Sequence, residues 1–292
     1  MSTSAPTVVG VDGSSTALDA VRWAAHDAAL HHSELVLVSS ICPPANAMLP
    51  TSYYEALHAD ADRALIEAKA IAVQAVDDTA EVYVSTTVVS QPPIPALLEL
   101  SKTARLVVAG SRGMGRINRA LLGSVSSAVA AHTHSPLTVV RGWAASDQAG
   151  RKTIVVGADG STASRPALEM AFEQAAAREV SLTAVHAWSD GDFALVHANQ
   201  GLEPWAWPTV REEAEGVLER SIGDLRQKYP HVQVRSVAVR DRPAQALLDH
   251  AQAAQMVVVG SHGRGGFTGM LLGSTSRKVL HSALCPVMIV PK

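Results

Sequence analysis

Two stretches of this sequence combine residue types suited to holding an anion. The first spaces Gly110, Gly113 and Gly123 as Gly-x2-Gly-x9-Gly and runs directly into Ser124-Val125-Ser126. The second repeats the pattern with Gly260, Gly263 and Gly273, followed by Ser274-Thr275-Ser276. Glycine tolerates positive φ and lets backbone N–H groups come close to an anion. Where such a loop opens a helix, the first N–H groups and the positive dipole end face the same point. The hydroxyls of Ser124, Ser126, Ser274 and Ser276 are expected to add donors. A di- or triphosphate fits a cradle of this kind.

A shorter motif, Val-Gly-x-Asp-Gly-Ser, accompanies each loop, with Gly10 and Asp12 in one copy and Gly157 and Asp159 in the other. Each aspartate ends an apolar run. It could accept a ribose hydroxyl or partner Mg2+. It could also only close an Asx turn or cap a helix. A position on the rim where open α/β sheets bind ligands favours the first role.

Other chemistries fit less well. There is no G-x-x-x-x-G-K-[ST] phosphate loop. A dinucleotide fingerprint belongs after the first strand, whereas this glycine loop follows the fourth, and Gly-Met-Gly-Arg-Ile-Asn lacks the third glycine. Ser111 and Ser261 stand in no G-x-S-x-G elbow. The twelve histidines show no zinc-ligand spacing, and His31 and His132 read as residues of helix ends. His186 reads as packed against a sheet.

The elements that must position these residues occur twice. Val8–Ser14 returns as Val155–Ser161, an offset of 147, and the Leu-Leu-Gly-Ser runs from Leu121 and Leu271 stand 150 apart. Between 107–140 and 257–290 there are 14 identities in 34 positions, with glycines and serines in register, which shared composition does not produce. Each half reads as β-α-β-α-β-α-β-α-β. In the first half the strands are Thr7–Val11, Leu35–Ile41, Val82–Val89, Leu106–Ala109 and Leu137–Val140. The helices start after Asp12-Gly-Ser-Ser, where Ser14 or Ser15 can cap, then span Glu55–Val76, Pro95–Thr103 and Gly123 to about Ala131. Alternating strands and helices predict a parallel sheet covered on both faces, a Rossmann-like α/β domain. The expected division is 1–141, a linker over 142–152, and 153–292. The segment Ser189–Thr209, with Trp205 and Trp207, reads as a long rim insertion able to act as a lid or partner surface.

Composition sets the class. The chain has 292 residues, 47% hydrophobic and 17% charged, enough for two packed domains. A net charge of −3 gives no electrostatic case for nucleic acid or anionic membrane. No apolar run approaches the ~20 residues that span a bilayer. No signal-peptide pattern opens the chain, and Cys42 and Cys285 form no metal or redox pair, so a cytoplasmic location is the expectation.

On the strength of these motifs the whole chain resembles tandem universal stress proteins, two such domains in one polypeptide, of the kind common in mycobacteria and related actinobacteria. The resemblance implies two five-stranded, Rossmann-like domains of the adenine nucleotide alpha hydrolase-like type. The G-x2-G-x9-G-[ST] motif implies the ATP-binding branch, one ATP per domain, with Mg2+ on the phosphates. It implies that Asp12 and Asp159 face the ribose and phosphates, that Ser40 and Ala187 contact adenine through their backbones, and that Arg112 and His262 lie near the phosphates. It also implies a stress or growth-arrest role exercised through a protein partner. The last strands, Leu137–Val140 and Val287–Val290, would pair as a covalent pseudo-dimer, and a homodimer of chains stays open. The alternative is a slow ATPase or phosphotransferase, for which Arg112, Arg116 and Arg119 could supply charge but no base is evident. Many relatives turn after the third strand with Gly-Asp/Asn-Pro, whereas here Val-Ser-Gln-Pro-Pro-Ile-Pro and Val-Arg-Asp-Arg-Pro-Ala-Gln stand there, so a stiffer first turn is expected.

Overall fold

The computed structural model describes residues 5–43, 50–76, 81–113, 122–141, 153–188, 207–240, 242–264 and 272–292, with the side chains of 207–211 outside the description. The chain divides into two compact units, Met1–Ala144 and Ala145–Lys292.

In the first unit β1 (Thr7–Gly10), α1 (Ser15–Leu30), β2 (Leu35–Ser40), α2 (Thr51–Gln74) and β3 (Val84–Val89) alternate. They are followed by α3 (Pro93–Leu100), β4 (Leu106–Gly110), α4 (Ser124–His132) and β5 (Leu137–Val140). All pairings are parallel, in the order β3-β2-β1-β4-β5. The chain therefore winds one way from β1 and the other way from β4, and the switch point lies between their carboxyl ends. The second unit repeats this with β6 (Thr153–Gly157), α5 (Arg165–Ala177), β7 (Ser181–Trp188), α6 (Trp207–Lys228) and β8 (Val234–Arg240). It ends with α7 (Pro243–Ala251), β9 (Met256–Gly260), α8 (Ser274–Ser282) and β10 (Val287–Val290), in the parallel order β8-β7-β6-β9-β10.

The sequence accounts for these elements. The central strands are runs of Val, Leu and Ile buried on both faces, as a doubly covered parallel sheet requires. The inner face of α1 is largely alanine, with Ala17, Ala20, Ala24, Ala25 and Ala28 all buried. These small residues bring the helix backbone close to the sheet. The closest approach is at Gly110, where a Cβ would stand 2.7 Å from the carbonyl of Thr16.

Several boundaries differ from the sequence reading. Helix α2 starts at Thr51 behind Pro50, which is extended at ψ 152°. Helix α3 starts at Pro93, because a proline loses nothing in a first turn whose N–H groups have no partner. Ser14 caps α1 by accepting from the Ala17 N–H at 3.2 Å. Its counterpart Ser161 caps nothing. Pro166 sets the first turn of α5 further on, and a 3-10 turn over Thr162–Ser164 fills the gap. The linker 142–152, Arg116, Arg119, Trp205 and nearly all of the rim insertion lie outside the described residues.

At the amino ends of the first unit's strands, Asp27 is fully buried and accepts a charged hydrogen bond from Arg105. Arg105 also donates to Thr7 Oγ1 at 3.0 Å, and that hydroxyl pairs with Ser33 Oγ at 3.0 Å. The second unit places the neutral Gln174 at the corresponding position, fully buried and bonded by Arg178 Nε at 3.0 Å.

Candidate functional site

Each unit has a cavity at the switch point. The first, of about 260 Å³, is bordered by Gly10, Asp12, Ser40, Gly110, Arg112, Gly113, Gly123, Ser124, Val125 and Ser126. The second, of about 380 Å³, is bordered by Gly157, Asp159, Ala187, Gly260, His262, Gly263, Gly273, Ser274, Thr275 and Ser276. Each of these twenty residues, singled out in the sequence as nucleotide-binding candidates, thus borders the cavity of its own half. Their local roles are less uniform than their spacing.

The three motif glycines do three jobs. Gly110 makes room for the α1 backbone. Gly113 and Gly263 make room for the aspartates: a Cβ would lie 2.5 Å from Asp12 Oδ2 in one half and 2.7 Å from Asp159 Oδ2 in the other. Gly123 and Gly273 close the loop at its base by donating to Ser111 O and Ser261 O, both at 2.8 Å. None of the six has a positive φ. Among the described glycines that conformation occurs at Gly13 (80°) and Gly160 (76°), in the Asp-Gly-Ser turns. The expectation of left-handed loop glycines is corrected to close approach.

Helices α4 and α8 are preceded at their N-caps by Gly123 and Gly273, which supply no side-chain cap. The first-turn N–H groups of residues 124–126 and 274–276 have no intrahelical acceptor by construction, and these residues border the cavities. The serines divide. Ser124 and Ser274 are exposed on the first turn. Ser126 and Ser276 are buried and donate to Gly110 O and Gly260 O, both at 2.6 Å. A hydroxyl has one proton, so these two pin the helix to the strand tip and have no donor left for an anion.

Asp12 Oδ1 accepts from the Ser14 N–H at 3.0 Å, and Asp159 Oδ1 from the Ser161 N–H at 2.9 Å. Both close an Asx turn while facing the glycine loop, so the two readings of these aspartates are compatible. Burial works against the charge on Asp159. The hydroxyl and N–H of Ser161, the N–H of Arg264 and the hydroxyl of Ser164 together outweigh it and hold this carboxyl below the ordinary carboxylate range. In the first half Thr16 Oγ1 also ties the loop, donating to Arg112 O at 2.5 Å.

The opposite wall offers backbone. Val11 N donates to Val38 O at 2.8 Å, and Ala158 N to Val185 O at 2.9 Å. Backbone groups alternate sides along a strand, so the N–H and C=O of Ser40 and Ala187, two residues on, face the same way. At that level β1 and β6 have already ended, leaving a notch open to the cavity. The Ser40 hydroxyl donates to Gln91 O, in the stiff turn before Pro92.

Sequence reasoning missed the apolar wall of Pro93, Ala96 and Leu97 on α3 and of Pro243 and Leu247 on α7. A signal was present: a Cβ on Gly10 would lie 3.2 Å from Leu97 Cδ1, and one on Gly157 3.1 Å from Leu247 Cδ1, and both pairs repeat. It also missed Arg264 and the bordering role of His186, whose Nδ1 stands 2.8 Å from Ala158 O. A carbonyl only accepts, so Nδ1 carries the proton.

No group of three or more His, Cys, Asp or Glu able to hold a metal occurs among the described residues. Among the described residues no helix is long and apolar enough to cross a membrane.

Comparison with known proteins matches the Universal stress protein family to residues 6–141 and again to 150–291. The chain is 38% identical to a universal stress protein of Mycolicibacterium smegmatis over 97% of its own length and 96% of the relative. It is 39% identical to one of Mycobacterium tuberculosis, over 97% and 93%. The crystal structure of a universal stress protein from Archaeoglobus fulgidus superimposes with a TM-score of 0.70, covering 98% of this chain and 96% of that one at 19% identity.

Proposed function

The chain belongs to the universal stress protein family, and from that premise we propose that each half binds one ATP, with Mg2+ on its phosphates, and that the protein acts as a nucleotide-dependent regulatory module in the cytoplasm. The observation that carries this reading is the uncapped helix start in both halves, each opening into a cavity beside an aspartate. The phosphates would lie on the N–H groups of residues 124–126 and 274–276, with Ser124 and Ser274 donating. Asp12 and Asp159 would receive the ribose or the ion. The notch at Ser40 and Ala187 presents a donor and an acceptor side by side, which suits an adenine edge, and the leucines Leu97 and Leu247 supply apolar wall.

A ligand acts on a partner only through different affinities for two states. The turns that hold the aspartates touch the long helices: a Cβ on Gly13 would meet Ala64 of α2 at 3.6 Å, and one on Gly160 would meet Val217 of α6. Occupancy would reach the surface by this route and alter what a protein partner sees. Catalysis by a slow ATPase or phosphotransferase would need a base aligned with the terminal phosphate. The carboxylates among the described lining residues are Asp12 and Asp159, both already accepting backbone N–H bonds.

The test is to denature the purified protein, then identify and count what is released. One ATP for each of the two cavities supports the reading. No nucleotide, and no uptake of ATP with Mg2+, refutes it.

A further inference from the structure

The two cavities carry positive charge at different places. In the first, Arg112 borders the cavity and position 114 is methionine. In the second, His262 stands where Arg112 stood, and Arg264, the counterpart of Met114, joins the lining.

Arg264 is held from two sides. Its backbone N–H donates to Asp159 Oδ2 at 2.7 Å. Its guanidinium lies along the Asp-Gly-Ser turn, where a Cβ on Gly160 would stand 2.7 Å from Nη2. Gly160, at φ 76°, is both a turn glycine and the gap that admits this side chain. Arg264 is exposed at the mouth of the cavity, and its guanidinium makes no ion pair or hydrogen bond with the described residues. The adjacent carboxylate is engaged by the backbone of Arg264, not by its fork.

A guanidinium with no ion pair among the described residues, standing beside an anion cradle, is a site for a further oxyanion. Of the residues bordering this cavity, Ser276 in the first turn of α8 is buried, whereas Arg264 is exposed. A chain of phosphates that started on the buried N–H of residue 276 and ran towards solvent would meet this exposed fork beyond its first member.

Resting on the reading that these cavities bind nucleotides, we propose that Arg264 makes the second cavity select nucleoside triphosphates over monophosphates, a selection the first cavity makes through Arg112 instead. The two sites of one chain then differ in which contact reads the phosphate chain.

The experiment is calorimetric titration of the full chain with ATP and with AMP, in Mg2+, for wild type, R264M, R264K and R112M. R264M is expected to weaken ATP at one class of site by about tenfold, the scale of one charge-assisted hydrogen bond, and to leave AMP unchanged. R264K keeps the charge without the fork and should fall between. R112M should act on the other class. If R264M weakens ATP and AMP equally, or changes neither, the inference is overturned while nucleotide binding stands. If wild type binds neither ligand, the underlying reading fails and the inference with it.

Discussion

A methyl group on Gly113 would stand 2.5 Å from Oδ2 of Asp12, so the second motif glycine exists to let the loop pass the aspartate at the tip of β1. The obstacle is the far end of a side chain, which can swing away. The first motif glycine meets helix backbone, which cannot. One spacing therefore hides two kinds of constraint, and they separate experimentally.

Gly113→Ala should leave the fold nearly intact and displace the Asp12 carboxylate from the cavity. The expected result is a melting temperature close to wild type with a loss of about tenfold or more in ATP affinity at one site, as for a removed charge-assisted contact. Calorimetric titration and a thermal melt on the same sample check both halves of the statement.

Gly110→Ala should do the reverse. Its Cβ would lie 2.7 Å from Thr16 O and 2.8 Å from Ala17 N, so α1 must move as a body. The expected cost is about 1–3 kcal/mol or more. Gly260→Ala should cost less, because its nearest atom is His262 O at 3.2 Å. Urea unfolding of the two variants orders them, and equal midpoints would contradict the packing argument.

Ser126→Ala removes a buried bond of 2.6 Å to Gly110 O and should destabilise the first unit by about 1–3 kcal/mol, since it leaves that carbonyl unsatisfied. Ser124→Ala touches no such bond. It should weaken ATP at one site with the unfolding midpoint unchanged. A Ser124→Ala variant that binds ATP like wild type would remove this serine from the phosphate contacts.

Asp27→Ala leaves Arg105 partly buried without its carboxylate and should cost the first unit about 3–5 kcal/mol. The second unit holds the corresponding place with Gln174 and should unfold as before. Unfolding should therefore split into two transitions, the earlier one belonging to residues 1–144.

Asp159 predicts a pH dependence of known sign. Its folded carboxyl titrates below the ordinary value of 3.8, so the unfolded chain binds its proton first as pH falls. The stabilisation is present at neutral pH, begins to decline near 3.8, and is lost once pH drops through the lower folded value. Without nucleotide, Asp159→Asn should thus be less stable than wild type at pH 7, and the gap should close in acid. Paired denaturation curves at pH 7 and pH 3 test it, and a constant gap would falsify the assignment.

Much of this protein was legible in one dimension. The repeat, the alternation of strands with helices and the placement of both glycine loops at strand tips follow from apolar runs and spacing, which are local properties of the chain. Because a parallel sheet brings its strand ends to one rim, candidate residues as far apart as Gly10 and Ser126 border one cavity. What each does there was not legible. Ser124 and Ser126 look alike in sequence, yet one is exposed on the cavity and the other donates inward to Gly110 O. Gly110 and Gly113 look alike, yet one faces helix backbone and the other a carboxylate. Arg264 passed unnoticed beside His262 until the turn at Gly160 placed its guanidinium at the mouth of the cavity. Spacing along the chain determines which residues reach the rim. Only packing between elements distant in sequence decides which of their donors, acceptors and charges remain for a ligand, because a hydrogen bond used within the fold is not available outside it.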